Sequence, residues 1–155
     1  MNVRIMEEND LDVLAPLHAK AFPRQRDSRK WLSCAIRAFP RKLCYVVEHD
    51  NRIHGYIIWA QKSGFRPEAV VELEQIAVHP NRQNRGIGQH LIKQSLEQVK
   101  DRLLLDGSSV KHVLVSTKAD NHAQKIYRKV LGAEVEATIS NLFSADEVYM
   151  IARNV

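Results

Sequence analysis

A mixed α/β chain, of the α+β kind in which helices pack on a sheet, is what this sequence predicts. Three observations lead there. Stretches that alternate apolar and polar residues with a period near two are interspersed with stretches whose apolar residues recur every three or four positions. The chain has 155 residues, of which 45% are hydrophobic, enough to bury one substantial core but hardly two. No internal repeat, low-complexity stretch or Pro/Gly-rich linker divides it. A single domain over residues 1–155 is therefore expected.

The elements follow in order. Residues 3–6 read as a short strand. Asn9 is a good N-cap with Asp10 and Asp12 behind it, so a helix is expected from there to about Ala21, with Pro23 ending it. Asp27 or Ser28 caps a second helix to about Phe39. Residues 43–48 and 53–60 form a hairpin around Asp50-Asn51. Residues 70–78 are a strand, with β-branched ends and an alternating centre, stopped by His79-Pro80-Asn81. Ile87, Leu91, Leu96, Val99 and Leu103 share one broad helical face, with Lys93, Gln94, Glu97 and Lys100 mostly away from it, giving a helix over 86–105. Residues 111–117 are the next strand, 121–131 the next helix, and 133–139 and 148–153 a final pair of strands.

The junction at Arg82-Gln83-Asn84-Arg85-Gly86-Ile87-Gly88 carries the chemistry. A strand hands over to a helix there. The first-turn amides of a helix lack intrahelical partners, the helix dipole favours negative charge, and two residues without Cβ let an anion approach. Arg82 and Arg85 add cationic donors. No Lys-Ser or Lys-Thr follows the second glycine, against a P-loop, and Leu91 stands where a dinucleotide fingerprint needs its third glycine. On spacing alone, a tight turn packing a helix on a sheet remains the alternative.

The segment from Val78 to Gly88, followed by Leu91-Ile92, resembles the acetyl-CoA motif of GNAT-type N-acetyltransferases, Q/R-x-x-G-x-G/A after a strand end. A second stretch, from Asn121 through Tyr127 to Gly132, resembles the later helix of that family, with Ala123 one position early and Ala133 where an aromatic is usual. The resemblance implies the acetyltransferase fold, a mixed, largely antiparallel central sheet flanked by helices. It also implies transfer of an acetyl group from acetyl-CoA to an amine of a small molecule or peptide, by direct attack in a ternary complex. Gln83, Asn84, Arg85, Gly86, Ile87 and Gly88 would hold the pyrophosphate. Main-chain groups of Ile76, Ala77 and Val78 would pair with the pantetheine arm, and Asn121 would bond it from the other side while also capping its helix.

Acetyl transfer needs a base for the amine, a donor for the oxyanion and an acid for the departing thiolate. Tyr127 matches the tyrosine that often serves as acid in the family; a phenol with an ordinary pKa near 10 is protonated at neutral pH. Without the resemblance it reads as a packed helix tyrosine. Glu72 and Glu74 share one strand face just before the phosphate turn and are the base candidates, directly or through water. Glu72 is preferred slightly because it lies farther from that turn. A solvated strand face is the alternative for each, and the next strand offers Ser116 or Thr117 at the place some relatives put a glutamate.

Charge and composition bound the rest. The formal net charge is +5, and Arg24, Arg26, Arg29, Lys30, Arg37, Arg41 and Lys42 cluster with only Asp27 among them. That segment could attract an acidic peptide, a phosphorylated metabolite or transfer RNA, although a solvated helix face is the simpler reading. A toxin-like acetyltransferase acting on aminoacyl-transfer RNA and a non-catalytic acetyl-CoA sensor are the alternatives kept, nucleic acid being the less favoured partner. Trp31, Phe22 and Phe39 read as core or lid residues, and His79 and His90 as surface residues flanking the turn. The seven histidines and the two cysteines, Cys34 and Cys44, show no metal-ligand spacing, so no metal is expected. No apolar stretch approaches twenty residues and the N-terminus is charged, so a cytoplasmic protein without membrane contact is expected, as monomer or homodimer.

Overall fold

The computed structural model describes residues 1–155. Seven strands form one sheet in the order β1-β2-β3-β4-β5-β7-β6, numbered along the chain. They are β1 (Asn2–Ile5), β2 (Lys42–His49), β3 (Arg52–Gln61), β4 (Glu68–Val78), β5 (Ser109–Lys118), β6 (Glu134–Ile139) and β7 (Glu147–Arg153). The helices are α1 (Leu11–Ala21), α2 (Ser28–Arg37), α3 (Ile87–Leu105) and α4 (Gln124–Leu131). β1 pairs antiparallel with β2, and β7 antiparallel with both β5 and β6, whereas β4 and β5 run parallel. The mixed, mostly antiparallel sheet expected from the sequence is thus present. Packing divides the chain into two compact units, residues 1–59 with 75–99 and residues 60–74 with 100–155.

In the first unit, Leu11, Leu14 and Leu17 of α1 and Leu32 and Ala35 of α2 pack with Val46, Tyr56, Ile58 and Ala77 of the strands. Pro16 lies inside α1 and cannot donate to the carbonyl of Asp12. An interior proline costs roughly 3 kcal/mol, and three buried leucines at roughly 1.5–3 kcal/mol each more than offset it. The entry to α1 differs from the expectation. Asn9 lies within a 3-10 turn, Glu8–Asp10, and the turn is closed by Asp10, whose Oδ2 accepts from the Glu7 N–H at 2.8 Å. Arg4 grips the same carboxylate through two nitrogens at 2.9 Å each, a two-pronged charge-assisted contact that a local cap by Asn9 does not match. The β2–β3 turn has both Asp50 and Asn51 in the left-handed region, at φ 51° and 57°, the backbone of the tightest hairpins.

In the second unit, β4 pairs with β5 from Glu68/Ser109 to Leu73/Val115. Val113, Val115, Met150 and Ala152 are buried with Val71 and Leu73 of β4. α4 begins at Gln124, three residues later than expected, and ends where Gly132 adopts φ 70° and its N–H returns to the carbonyl of Arg128 at 3.0 Å. Ala133 behind it is fully buried. At the sheet margin every residue of β6 is exposed, and its pairing with β7 is irregular between Val135 and Ala137. Glu134 meets Arg128 at 3.6 Å and Glu136 meets Arg153 at 3.0 Å.

Candidate active site

Strand β4 carries residues from both units and has two distinct faces. Ala69, Val71, Leu73, Gln75 and Ala77 are buried, while Val70, Glu72, Glu74, Ile76 and Val78 between them are half-buried. Glu72 and Glu74 therefore share one side of the strand within the second unit, and Ile76 and Val78 one side within the first. Ile76, Ala77 and Val78 also lie beyond the last β4–β5 pair at Leu73/Val115.

In the first unit, β4 ends in a short 3-10 turn, Pro80–Arg82, shaped by sequence-local bonds. His79 accepts from the Asn81 N–H through Nδ1 at 3.3 Å, and the Gln83 side chain folds back to donate to the Val78 carbonyl at 3.1 Å. Asn84 and Gly86 take left-handed conformations, φ 60° and 77°. α3 then starts at Ile87, and the first bond of its ladder is from the His90 N–H to the Gly86 carbonyl at 3.0 Å. The amides of Ile87, Gly88 and Gln89 thus stand ahead of the ladder. Ile87 is buried and anchors the helix, while Asn84, Arg85 and Gly86 are exposed. The two glycines answer different needs. A side chain at Gly86 would meet nothing within 4 Å but would strain the backbone. One at Gly88 would meet only Val78 Cγ2 at 3.8 Å, ordinary contact, so the protein's own packing does not require glycine there. His90, expected at the surface, is half-buried with its Nε2 sheltered from solvent.

In the second unit, Tyr127 is 6% exposed on α4, and burial pushes its phenol up to about 12. Glu72 Oε2 lies 2.9 Å from the Lys62 ammonium, and this hydrogen bond and charge hold the lysine above its ordinary pKa, with Glu74 adding to the effect. The Oε2 of Glu74 is shielded from solvent. Asn121 is engaged locally: its Oδ1 accepts from the Ala123 N–H at 2.9 Å, and its Nδ2 donates to Thr117 Oγ1 at 2.8 Å. Ser116 lies opposite Tyr149 in the β5–β7 ladder.

The sequence reading passed over a polar network in the first unit. Gln75 accepts at Oε1 from Trp31 Nε1 and from the Tyr56 hydroxyl, each at 3.1 Å, and its Nε2 donates to Gln25 Oε1 at 2.9 Å. His18, fully buried, meets the same Gln25 oxygen at 2.9 Å through Nε2 and Ser28 Oγ at 2.8 Å through Nδ1. One signal could have revealed it: Gln75 is the polar member of the otherwise apolar series Ala69, Val71, Leu73 and Ala77. Of the basic segment, Arg29 pairs with Asp12, Arg37 with Glu8, and Lys42 sits 5.2 Å from the centre of the Trp31 ring. Trp31 is 40% and Phe39 51% exposed, so neither is a core residue, while Phe22 packs half-buried against the core. Cys34 is exposed and Cys44 buried, both as free thiols. No helix is long and apolar enough to cross a membrane.

The fourth strand of the mixed sheet leads through a glycine turn into α3, and a buried tyrosine lies on the helix that follows the fifth strand. The sequence matches the Acetyltransferase (GNAT) family over residues 11–133, and the chain belongs to that family of acetyl-CoA-dependent N-acetyltransferases. No curated protein matches the sequence. Among solved structures, an aminoglycoside 6'-acetyltransferase type Ii superposes with a TM-score of 0.77 at 16% identity, over 100% of this chain and 98% of that one. An aminoglycoside 6'-N-acetyltransferase complexed with coenzyme A gives 0.78 at 14% identity, over 100% and 98%. A ribosomal-protein-alanine N-acetyltransferase from Brucella melitensis gives 0.76 at 20% identity, over 99% of both chains. At these identities the likeness is one of fold.

Proposed function

We propose that this enzyme binds acetyl-CoA with its pyrophosphate on the turn from Gln83 to Gly88, and transfers the acetyl group directly to an amine in a ternary complex. The observation that carries this reading is the turn itself. Its left-handed Asn84 and Gly86 lead into three amides ahead of the α3 ladder, beside a glycine at 88 that internal packing does not demand. Such a helix start binds an anion through N–H donation and the helix dipole. Main-chain groups of Ile76, Ala77 and Val78, past the last β4–β5 pair, are suited to bond the amide-bearing pantetheine arm as a further strand would. Asn121 retains one amide hydrogen for the arm beyond the one given to Thr117.

Tyr127 is the acid. A phenol held near 12 stays protonated at neutral pH, so a proton is available when the thiolate departs. Glu72 and Glu74 are the base candidates. The Lys62 ion pair tells against Glu72 as the direct acceptor, because its Oε2 is already engaged by an ammonium at 2.9 Å. Glu72 then serves to attract the amine or to fix the strand margin, and Glu74 moves to first place.

The test is coenzyme A release across polyamines, aminoglycosides, amino acids, acidic and neutral peptide N-termini and charged transfer RNA. Tyr127→Phe should lower turnover by about 100-fold with the acetyl-CoA dissociation constant unchanged. Glu74→Gln should abolish or move the acidic limb of the rate profile, whereas Glu72→Gln should mainly raise the amine Michaelis constant. Equal turnover in wild type and Tyr127→Phe would return that residue to packing. Tight cofactor binding with no turnover on any acceptor would instead make the protein an acetyl-CoA sensor.

A further inference from the structure

The protein's excess positive charge comes from one stretch of chain. Of the 23 basic and 18 acidic residues, eight basic and one acidic lie between Lys20 and Lys42, which gives that stretch +7 and leaves fifteen and seventeen, or −2, for the rest. All of the stretch belongs to the first unit. Folding engages only part of the charge. Arg29 pairs with Asp12 and Arg37 with Glu8, and Lys42 lies over the Trp31 ring. Lys20, Arg24, Arg26, Lys30 and Arg41 are exposed, and none of the five meets a carboxylate. Lys30 also stands in the first turn of α2, which has no acidic residue and where the helix dipole disfavours a cation. Like charges gathered in this way repel one another and attract anions.

The arrangement suits an extended polyanion. Arg24 and Arg26 precede α2, Lys30 lies in its first turn and Arg41 follows its end, so the cations are strung along a ten-residue helix about 15 Å long and do not converge on one point. Five of the eight are arginines, whose planar forks match phosphate oxygens. Two aromatic rings lie open among them, Trp31 at 40% and Phe39 at 51% exposure. The Trp31 N–H is bonded to Gln75 at 3.1 Å, which fixes the orientation of the indole. A lipid surface would require an apolar helix face to insert, but α2 commits Leu32 and Ala35 to the core. An acidic peptide would answer the charge and leave the rings unused. We propose that the surface from Lys20 to Lys42 binds single-stranded nucleic acid, with its unpaired cations on the phosphates and Trp31 and Phe39 stacked on bases. Such binding is separate from acyl transfer, and neither requires the other.

Fluorescence anisotropy with a labelled oligouridylate of about 20 nucleotides, at salt concentrations from about 50 to 200 mM, tests it. The wild type should bind with an affinity that falls as salt rises. A combined Arg24→Gln, Arg26→Gln, Lys30→Gln, Arg41→Gln variant should bind at least about tenfold more weakly, and its plot of log affinity against log salt should be shallower by about 3, since each phosphate contact on a single strand contributes about 0.7. The rise in melting temperature on adding acetyl-CoA should persist in that variant. Arg52→Gln, Lys93→Gln, Lys125→Gln, Lys129→Gln removes the same charge from exposed positions outside the stretch and should cost less than about threefold. Trp31→Leu should weaken binding about tenfold and Trp31→Phe much less; both lose the bond to Gln75, so the difference reads the ring. Absence of salt-dependent binding by the wild type, equal losses in the two fourfold variants, or indistinguishable Trp31→Leu and Trp31→Phe proteins would overturn the assignment. Equally tight binding of polyglutamate or of phosphatidylserine vesicles would overturn it too, making the surface a site for an acidic protein or a membrane.

Discussion

His18 shows how much a single side chain can commit a structure to one protonation state. Burial disfavours its charged form and holds its pKa below 6.5, the bond to Gln25 opposing this in part. A histidine whose folded-state pKa is depressed resists the proton that the unfolded chain accepts. Its contribution is therefore complete above pH 6.5 and is lost as the pH falls below that value. His54 acts in the same sense, depressed first by burial and then by the charge of Arg82. Denaturant midpoints should accordingly fall from pH 7 to pH 5, and the fall should be shallower in His18→Gln, which cannot titrate. An identical slope in the two proteins would remove His18 from the account. Asp10 has linkage of the same sign in a lower pH window: burial would raise its pKa, but the Arg4 and Glu7 bonds win and keep it depressed, so its contribution is lost only as the pH falls below the ordinary carboxylate range.

Among the elements, the start of α3 separates two roles that both fall to glycine. Gly88→Val introduces no left-handed strain and meets only an ordinary contact, so the apo protein should lose little stability, about 1 kcal/mol or less. At one hundred times its dissociation constant, acetyl-CoA should stabilise the wild type by about 2.7 kcal/mol, and that gain should vanish in Gly88→Val. Gly86→Val should instead destabilise the apo protein as well, because a β-branched residue is strained at φ 77°. Retention of the cofactor shift in Gly88→Val would move the pyrophosphate elsewhere. Most elements were legible because their periodicity is strong: β4 and α3 lie within two residues of expectation at each end. Their termini were less so where distant partners decide. Asn9 is a fair cap by local chemistry but was outcompeted by Asp10, which Arg4 holds from β1. Pro16 stands inside α1, as the expected helix from Asn9 to Ala21 required, and the buried leucines of that helix offset its cost. The turn at 83–88 was readable as a strand-to-helix junction because its residues are contiguous. The Gln75 network was not, because His18, Gln25, Trp31, Tyr56 and Gln75 are spread over β3, β4 and the helical segment, and nothing local joins them.

At the scale of the whole molecule, the sheet has to end somewhere, and β6 is one of its two ends. Exposed along its full length, β6 places Val135 and Ile139 in water at 39% and 38% exposure, with Phe143 beyond it at 76%. Those residues and an open row of main-chain donors and acceptors would ordinarily recruit another strand. The irregular register at Val135 and the two glutamates engaged by Arg128 and Arg153 make that recruitment unfavourable, since a neighbour would have to cover exposed charges and fit an irregular edge. These pairs contribute little to folding stability, as exposed ion pairs generally do; their consequence is colloidal. A Glu134→Thr, Glu136→Val double variant should keep its melting temperature within a few degrees yet scatter light increasingly with concentration, and unchanged scattering would show that the edge is guarded by its twist alone. If scattering does rise, what restrains this protein from polymerising is a pair of carboxylates to which the proposed chemistry assigns no part.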